Sequence, residues 1–272
     1  MAQPVVAQRA RWRLFGRTVE PFRLSVVVGI VALTAAAWVA AFLAGDMSTM
    51  AMMDPDVSMA LAFVAVWVVG MVAMMFPVMI PVVFAYDRVN RASNPFDAKP
   101  AKKSPSWRAV AMSLFLSGYL AMYALLGVGV LLVFHASPWL MMAFPSLIDV
   151  AWAIPIAAFA TAGVYQLSPI KQRCLATVHS PLALFVKGWR GDLPGAAMMG
   201  ARHGLYCVGC CWMYMIVLAV VGSMGLFWMA GFAVVLSIEK ASGHRGVAFS
   251  KVVAVGLLGV AVILATRTLL AV

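Results

Sequence analysis

The stretch from His203 to Gly222 reads HGLYCVGCCWMYMIVLAVVG. It runs for 20 residues without a Lys, Arg, Asp or Glu, which is the length a helix needs to cross the roughly 30 Å hydrocarbon core of a bilayer. Similar apolar runs recur at about 24–44, 59–85, 109–134, 150–168, 204–222, 225–239 and 247–266. The chain has 272 residues, of which 64% are hydrophobic and only 11% charged, too few charges for a soluble domain to cover that much apolar surface. A membrane barrel would show short alternating segments instead. The sequence therefore predicts an all-α fold, a polytopic transmembrane helical bundle of about six to seven spans.

The net charge of +11 invites a nucleic-acid partner, but the charges are sorted by loop. Basic residues crowd the N-terminus (Arg9 to Arg23), the second loop (Arg88 to Arg108), the fourth (Lys171 to Arg202) and the sixth (Lys240 to Lys251). The first and third loops carry Asp46, Asp54, Asp56 and Asp149 and no Lys or Arg. That asymmetry is a topology signal, which places the N-terminus in the cytoplasm and, with seven spans, the C-terminus outside. Nucleic acid is excluded as a partner, and the bilayer is the expected one. The first apolar run lacks the cleavage pattern of a secretory signal and reads as an anchor. The organisation is then a basic N-terminus (1–23), one transmembrane domain (24–266) with a Met-rich outer loop (45–58) and a Pro- and Lys-rich cytoplasmic linker (86–108), and a short tail (267–272). The segment 180–200 reads as an interfacial amphipathic helix followed by a turn, and 225–239 is short for a straight crossing.

Three of the four cysteines lie within the first nine residues of the opening stretch. On a helix, with His203 at zero, Cys207 falls near +40°, Cys210 near −20° and Cys211 near +80°. All four side chains share one face, and thiolate with imidazole is the ligand chemistry of Cu(I) and Zn(II). The predicted topology puts them at the cytoplasmic entrance of the fifth span, where thiols stay reduced. Cys174 and His179 map to the same side and are candidates to complete the set.

Methionine is the second anomaly, with 20 in the chain. Met47, Met50, Met52 and Met53 crowd the outer loop, and Met71, Met74, Met75 and Met79 lie in the next span, three of them in an i, i+4, i+8 stripe. The stripe reads either as adaptable packing or as a relay of soft thioethers suited to Cu(I). Pro77 and Pro81 free backbone carbonyls in that span. Asp149, Glu239 and Lys240 are placed at span ends, where topology and snorkelling account for them. With no phosphate loop, carboxylate pair or Ser/His/Asp arrangement, hydrolase or ATP-driven chemistry is disfavoured.

Four blocks together resemble a bacterial family of predicted metal-binding integral membrane proteins, a domain of unknown function with an HGxxCxGCCW signature. They are Trp67–Pro77 (WVVGMVAMMFP), Gly163–Leu175 (GVYQLSPIKQRCL), Arg202–Trp212 (RHGLYCVGCCW) and Glu239-Lys240. The resemblance implies a multi-span helical fold and metal binding through the His203–Trp212 block. Relatives often carry a second Cys four residues after the one matching Cys174. Here that place is Val178 with His179 beside it, so either the second ligand is dispensable or His179 replaces it.

The expected function is binding of a soft metal, copper as Cu(I) first and zinc second, for transport, delivery or homeostasis at the bacterial inner membrane. The metal ligands would be His203, Cys207, Cys210, Cys211, Cys174 and His179, with Met71, Met74, Met75 and Met79 as a relay. No catalytic residue is assigned. A metallochaperone or copper enzyme is the expected protein partner, with self-association also open. Two alternatives stand beside this. One is a membrane thiol–disulfide oxidoreductase using Cys207 and Cys210, with the helix N-terminus activating a thiol. The other is a subunit or assembly factor of a copper-dependent membrane enzyme.

Overall fold

The computed structural model describes residues 21–44, 56–91, 103–186, 189–222 and 225–271. Most of the basic N-terminus, the methionines of the outer loop and the centre of the linker lie outside the described residues. Among the described residues every regular element is helical. In chain order these are α1 (Pro21–Leu43), α2 (Val57–Arg91), α3 (Pro105–Ala143), α4 (Ser146–Asp149), α5 (Ala153–Gln166), α6 (Pro169–His179), α7 (Pro181–Val186), α8 (Leu193–Gly222), α9 (Leu226–Ala241), a 3-10 turn (Gly243–Arg245) and α10 (Gly246–Ala271).

The helices α1, α2, α3, α8 and α10 are long and apolar enough to cross a membrane, and α5 with α6, bent by 61°, makes a sixth if counted as one span. The seventh expected span, α9, has 16 residues, about 24 Å, and falls short of a bilayer core. Large apolar side chains such as Phe42, Leu125, Val133, Val255 and Val262 point outward. Such an outer surface suits lipid and would be covered in a soluble domain.

Local signals explain most boundaries. Asp56 stands before α2 and accepts the Ser58 N–H at 3.1 Å and its hydroxyl; the bond from the Ser58 hydroxyl, then that from its amide, holds the carboxyl below the usual range. Ser104 caps α3 by accepting the Trp107 N–H at 3.2 Å, with Pro105 in the first turn. The bend between α5 and α6 falls at Leu167-Ser168-Pro169, where proline removes a donor and Ser168 restarts the helix by accepting the Lys171 N–H. Pro77 and Pro81 lie inside α2, which continues past both.

Two expectations for 180–204 are corrected. The interfacial helix is only the six-residue α7, and its Phe185 is fully buried against Tyr86 and Phe115. In addition, α8 starts at Leu193, so His203 and the cysteines sit in the helix interior rather than at its entrance. Pro194 is tolerated in a first turn, and the following Ala and Met residues favour helix, so the span extends backwards. The helix-end activation invoked for a redox thiol therefore does not apply to Cys207.

The centre of the bundle is the crossing of α3 and α8. A Cβ on Gly200 would lie 1.8 Å from the Phe115 carbonyl oxygen, one on Gly204 2.9 Å from that of Tyr119, and one on Gly118 2.1 Å from that of Ala197. Gly200 and Gly204 are one helical turn apart, the small-residue spacing that lets backbones touch. This contact seats Tyr119 and Tyr123 of α3 against the cysteine face of α8. At one end of the bundle, Asp87 gathers Arg108 at 2.7 Å, Arg91 at 2.8 Å and Arg23 at 3.8 Å, tying α1, α2 and α3 together.

Candidate metal centre

Four helices meet around the sulfur of Cys207. From α3, Tyr123 donates its hydroxyl to Sγ at 3.1 Å and the Tyr119 hydroxyl lies 3.2 Å away. From α9, Lys240 Nζ donates to Cys207 Sγ at 2.8 Å and also reaches Met75 Sδ on α2 at 3.3 Å. The peptide carbonyl of Tyr123 is held by the indole N–H of Trp67 at 3.1 Å, which fixes α3 against α2 at this level.

Beside this sulfur is a cavity of about 10 Å³, room for one water-sized group. Met75, Val78, Met79, Val82, Tyr119, Val178, His203, Cys207 and Lys240 line it. His203 is 1% exposed and neither ring nitrogen has a hydrogen-bond partner. Its neighbours are the rings of Tyr119, Phe185 and Phe115 at 5.9, 6.3 and 6.5 Å. Buried polar groups are almost always satisfied, so an unpartnered imidazole beside a cavity lined by one thiol and two thioethers keeps its ligating capacity free. Imidazole, thiolate and thioether together match a soft monovalent copper ion.

The predicted residues separate into groups. His203, Cys207, Met75 and Met79 come together at the cavity. The thiols of Cys210 and Cys211 each donate to the carbonyl of Cys207 at 3.0 Å, and Tyr123 also lies 3.5 Å from the Cys211 sulfur. Cys174 is half-buried and packs on α8 at Gly209, where an added Cβ would lie 2.9 Å from its sulfur. His179 Nε2 faces the carbonyl oxygen of Glu239 at 3.0 Å, and Val178 is the α6 residue at the cavity. Met74 lines a separate groove with Trp38 and Pro77, and Met71 is buried in the core. Among the described residues no three His, Cys, Asp or Glu side chains already form a metal cage.

Glu239 and Lys240 are not explained by snorkelling. Glu239 is 1% exposed and lies 2.8 Å from Lys171, itself 0% exposed. Tyr214 and Ser250 donate to the same carboxylate at 3.0 and 2.8 Å, and Gln166 accepts from the Lys171 amine. The bend at Pro169 turns Lys171 inward, and α9 ends within reach of α2, α6, α8 and α10. The sequence signal was present as two adjacent charges, Glu239-Lys240, closing an apolar helix. Tyr119 and Tyr123, one turn apart in α3, were the other unread pair.

No curated protein and no solved structure matches the chain. Residues 64–264, from α2 into α10, match the PpoB2 family, described as a copper chaperone, and the chain belongs to that family.

Proposed function

We propose that the chain is a membrane-spanning copper chaperone that holds a single Cu(I) at Cys207, with His203, Met75 and Met79 as the other donors, and hands it to a protein partner. The observation that carries this is the doubly unpartnered, buried His203 beside the Cys207 sulfur and two thioethers. The cavity is too small for an organic substrate and large enough for one ion. Copper membership of the family supports the choice of metal. The charge asymmetry supports a cytoplasmic N-terminus and a bacterial inner-membrane location, with the site in the inner half of the bilayer.

Cys210 and Cys211 stand one turn further along α8 and are the next thiols an ion would meet. Cys174 packs at Gly209, about 160° around α8 from Cys207, and stands outside this run of thiols. This arrangement gives a donor ladder rather than a closed cage, which suits a carrier that must release its cargo. The test is anaerobic Cu(I) titration of the purified protein against a chromogenic chelator. Wild type is expected to bind one Cu(I) per chain, and Cys207→Ser and His203→Ala to lose it. Equal retention by wild type and Cys207→Ser would overturn the assignment.

A further inference from the structure

Lys240 Nζ lies between Cys207 Sγ at 2.8 Å and Met75 Sδ at 3.3 Å. These are two of the sulfurs assigned to copper, and a buried ammonium bonded to sulfur rather than to a carboxylate is unusual company for lysine. The carboxylate of its sequence neighbour, Glu239, is already taken by Lys171, Tyr214 and Ser250. We propose that Lys240 is a resident cation of the site: its ammonium holds the sulfur pocket until Cu(I) enters, and the incoming ion takes its place by pushing the ammonium out. This rests on the copper assignment above and concerns how the site is loaded and emptied.

Geometry gives the exchange its route and its electrostatic logic. Lys240 is the second-last residue of α9, followed by Ala241 and the turn at Gly243, whose φ is 55°. A lysine stem is long enough to swing an ammonium past a helix end to the membrane surface. With Cys207 as the thiolate that accepts from Lys240 and Tyr123, one positive charge replaces another against the same negative sulfur, and no proton has to leave as copper binds. The reverse exchange assists release, because the ammonium returns to the sulfurs as copper leaves. Lys171, by contrast, keeps its carboxylate throughout and provides an internal reference.

The experiment is acylation of the folded protein in lipid nanodiscs with a small amine-reactive ester, read by peptide mass spectrometry at Lys240 and Lys171, with and without one equivalent of Cu(I) under anaerobic conditions. The exchange predicts a several-fold rise in Lys240 labelling on copper binding, with Lys171 unchanged. Cys207→Ser, which removes the shared sulfur, is expected to raise Lys240 labelling before any copper is added and to abolish the response. Copper bound one to one with Lys240 labelling unchanged would overturn the exchange while leaving the copper site intact. An equal rise at Lys171 would mean general loosening and would also overturn it. Failure to bind Cu(I) at all would remove the copper assignment itself, and the exchange with it.

Discussion

Glu239 and Lys240 are neighbours on α9, yet they belong to two different kinds of buried cluster. Around Glu239 the chemistry is oxygen and nitrogen, and the carboxylate is fully paired: a lysine, a tyrosine and a serine converge on it. Around Lys240 the chemistry is sulfur, and it is unfinished: an ammonium rests on a thiol and a thioether beside an imidazole with no partner. A completed ion pair inside a low-dielectric bundle is a structural clamp, since removing one member strands the other. An incomplete sulfur cluster has spare ligating capacity, the property on which the proposed copper site rests. The clamp holds α6, α9 and α10 in register so that the loose cluster next to it stays assembled.

The sharpest way to break the contrast is to attack the clamp. Glu239→Ala leaves Lys171 buried and unpaired, and should cost about 3–5 kcal/mol of stability, seen as loss of folded protein in a detergent thermal melt. The double variant Lys171→Met/Glu239→Leu should recover most of that loss, because a matched apolar pair has no stranded charge. On the sulfur side, Cys207→Ser should lower the melt less than Glu239→Ala does, because Lys240 can leave for the membrane surface, and should weaken Cu(I) by more than the roughly 10–100-fold typical of changes outside the ligand set, measured by chelator competition.

The packing that joins the clusters should be next in size. Gly200→Ala places a Cβ 1.8 Å from the Phe115 carbonyl oxygen, an overpacking expected to cost about 1–3 kcal/mol and to shift Tyr119 and Tyr123 off the cysteine, readable as both a lower melt and weaker Cu(I) binding. Tyr123→Phe removes one hydrogen bond to Cys207 and should cost about 0.5–1.5 kcal/mol, with a correspondingly small change in copper affinity. The smallest expected effect makes the finest distinction. Met74→Leu, in the separate groove, should leave Cu(I) affinity unaltered, whereas the isosteric Met75→Leu should lower it in the same titration. Equal effects of the two would erase the distinction between a packing methionine and a ligand methionine.

The helical class was plain from the apolar runs, because long unbroken apolar stretches hide their backbone in lipid as helices, whereas a barrel needs short alternating strands. The number of spans was less legible. Hydropathy registers 225–239 as a run, but it does not say whether α9 reaches across or ends among other helices. The start of α8 was misplaced for a related reason: Leu193–Arg202 is less apolar than the span, yet it is good helix sequence seated by Gly200 on α3. In the site, the i, i+4 relation of His203 and Cys207 was enough to predict a shared face. Periodicity equally put Met71, Met75 and Met79 on one stripe. It gave no means of knowing that Met75 and Met79, and not Met74, would face Cys207, because that depends on which neighbour each part of α2 meets.

Composition and the 100° step of a helix fix a bundle of apolar helices with a soft-ligand face on α8 and a steep asymmetry of charge. Tertiary structure decided the rest: that His179 faces a backbone carbonyl while Val178 meets the cavity, that Lys171 and Glu239 are a buried pair, and that Lys240 rests on the sulfurs of Cys207 and Met75. Those pairings join residues far apart in the chain. Which buried charge meets which sulfur or carboxylate is set by how four helices pack, and no local pattern encodes that.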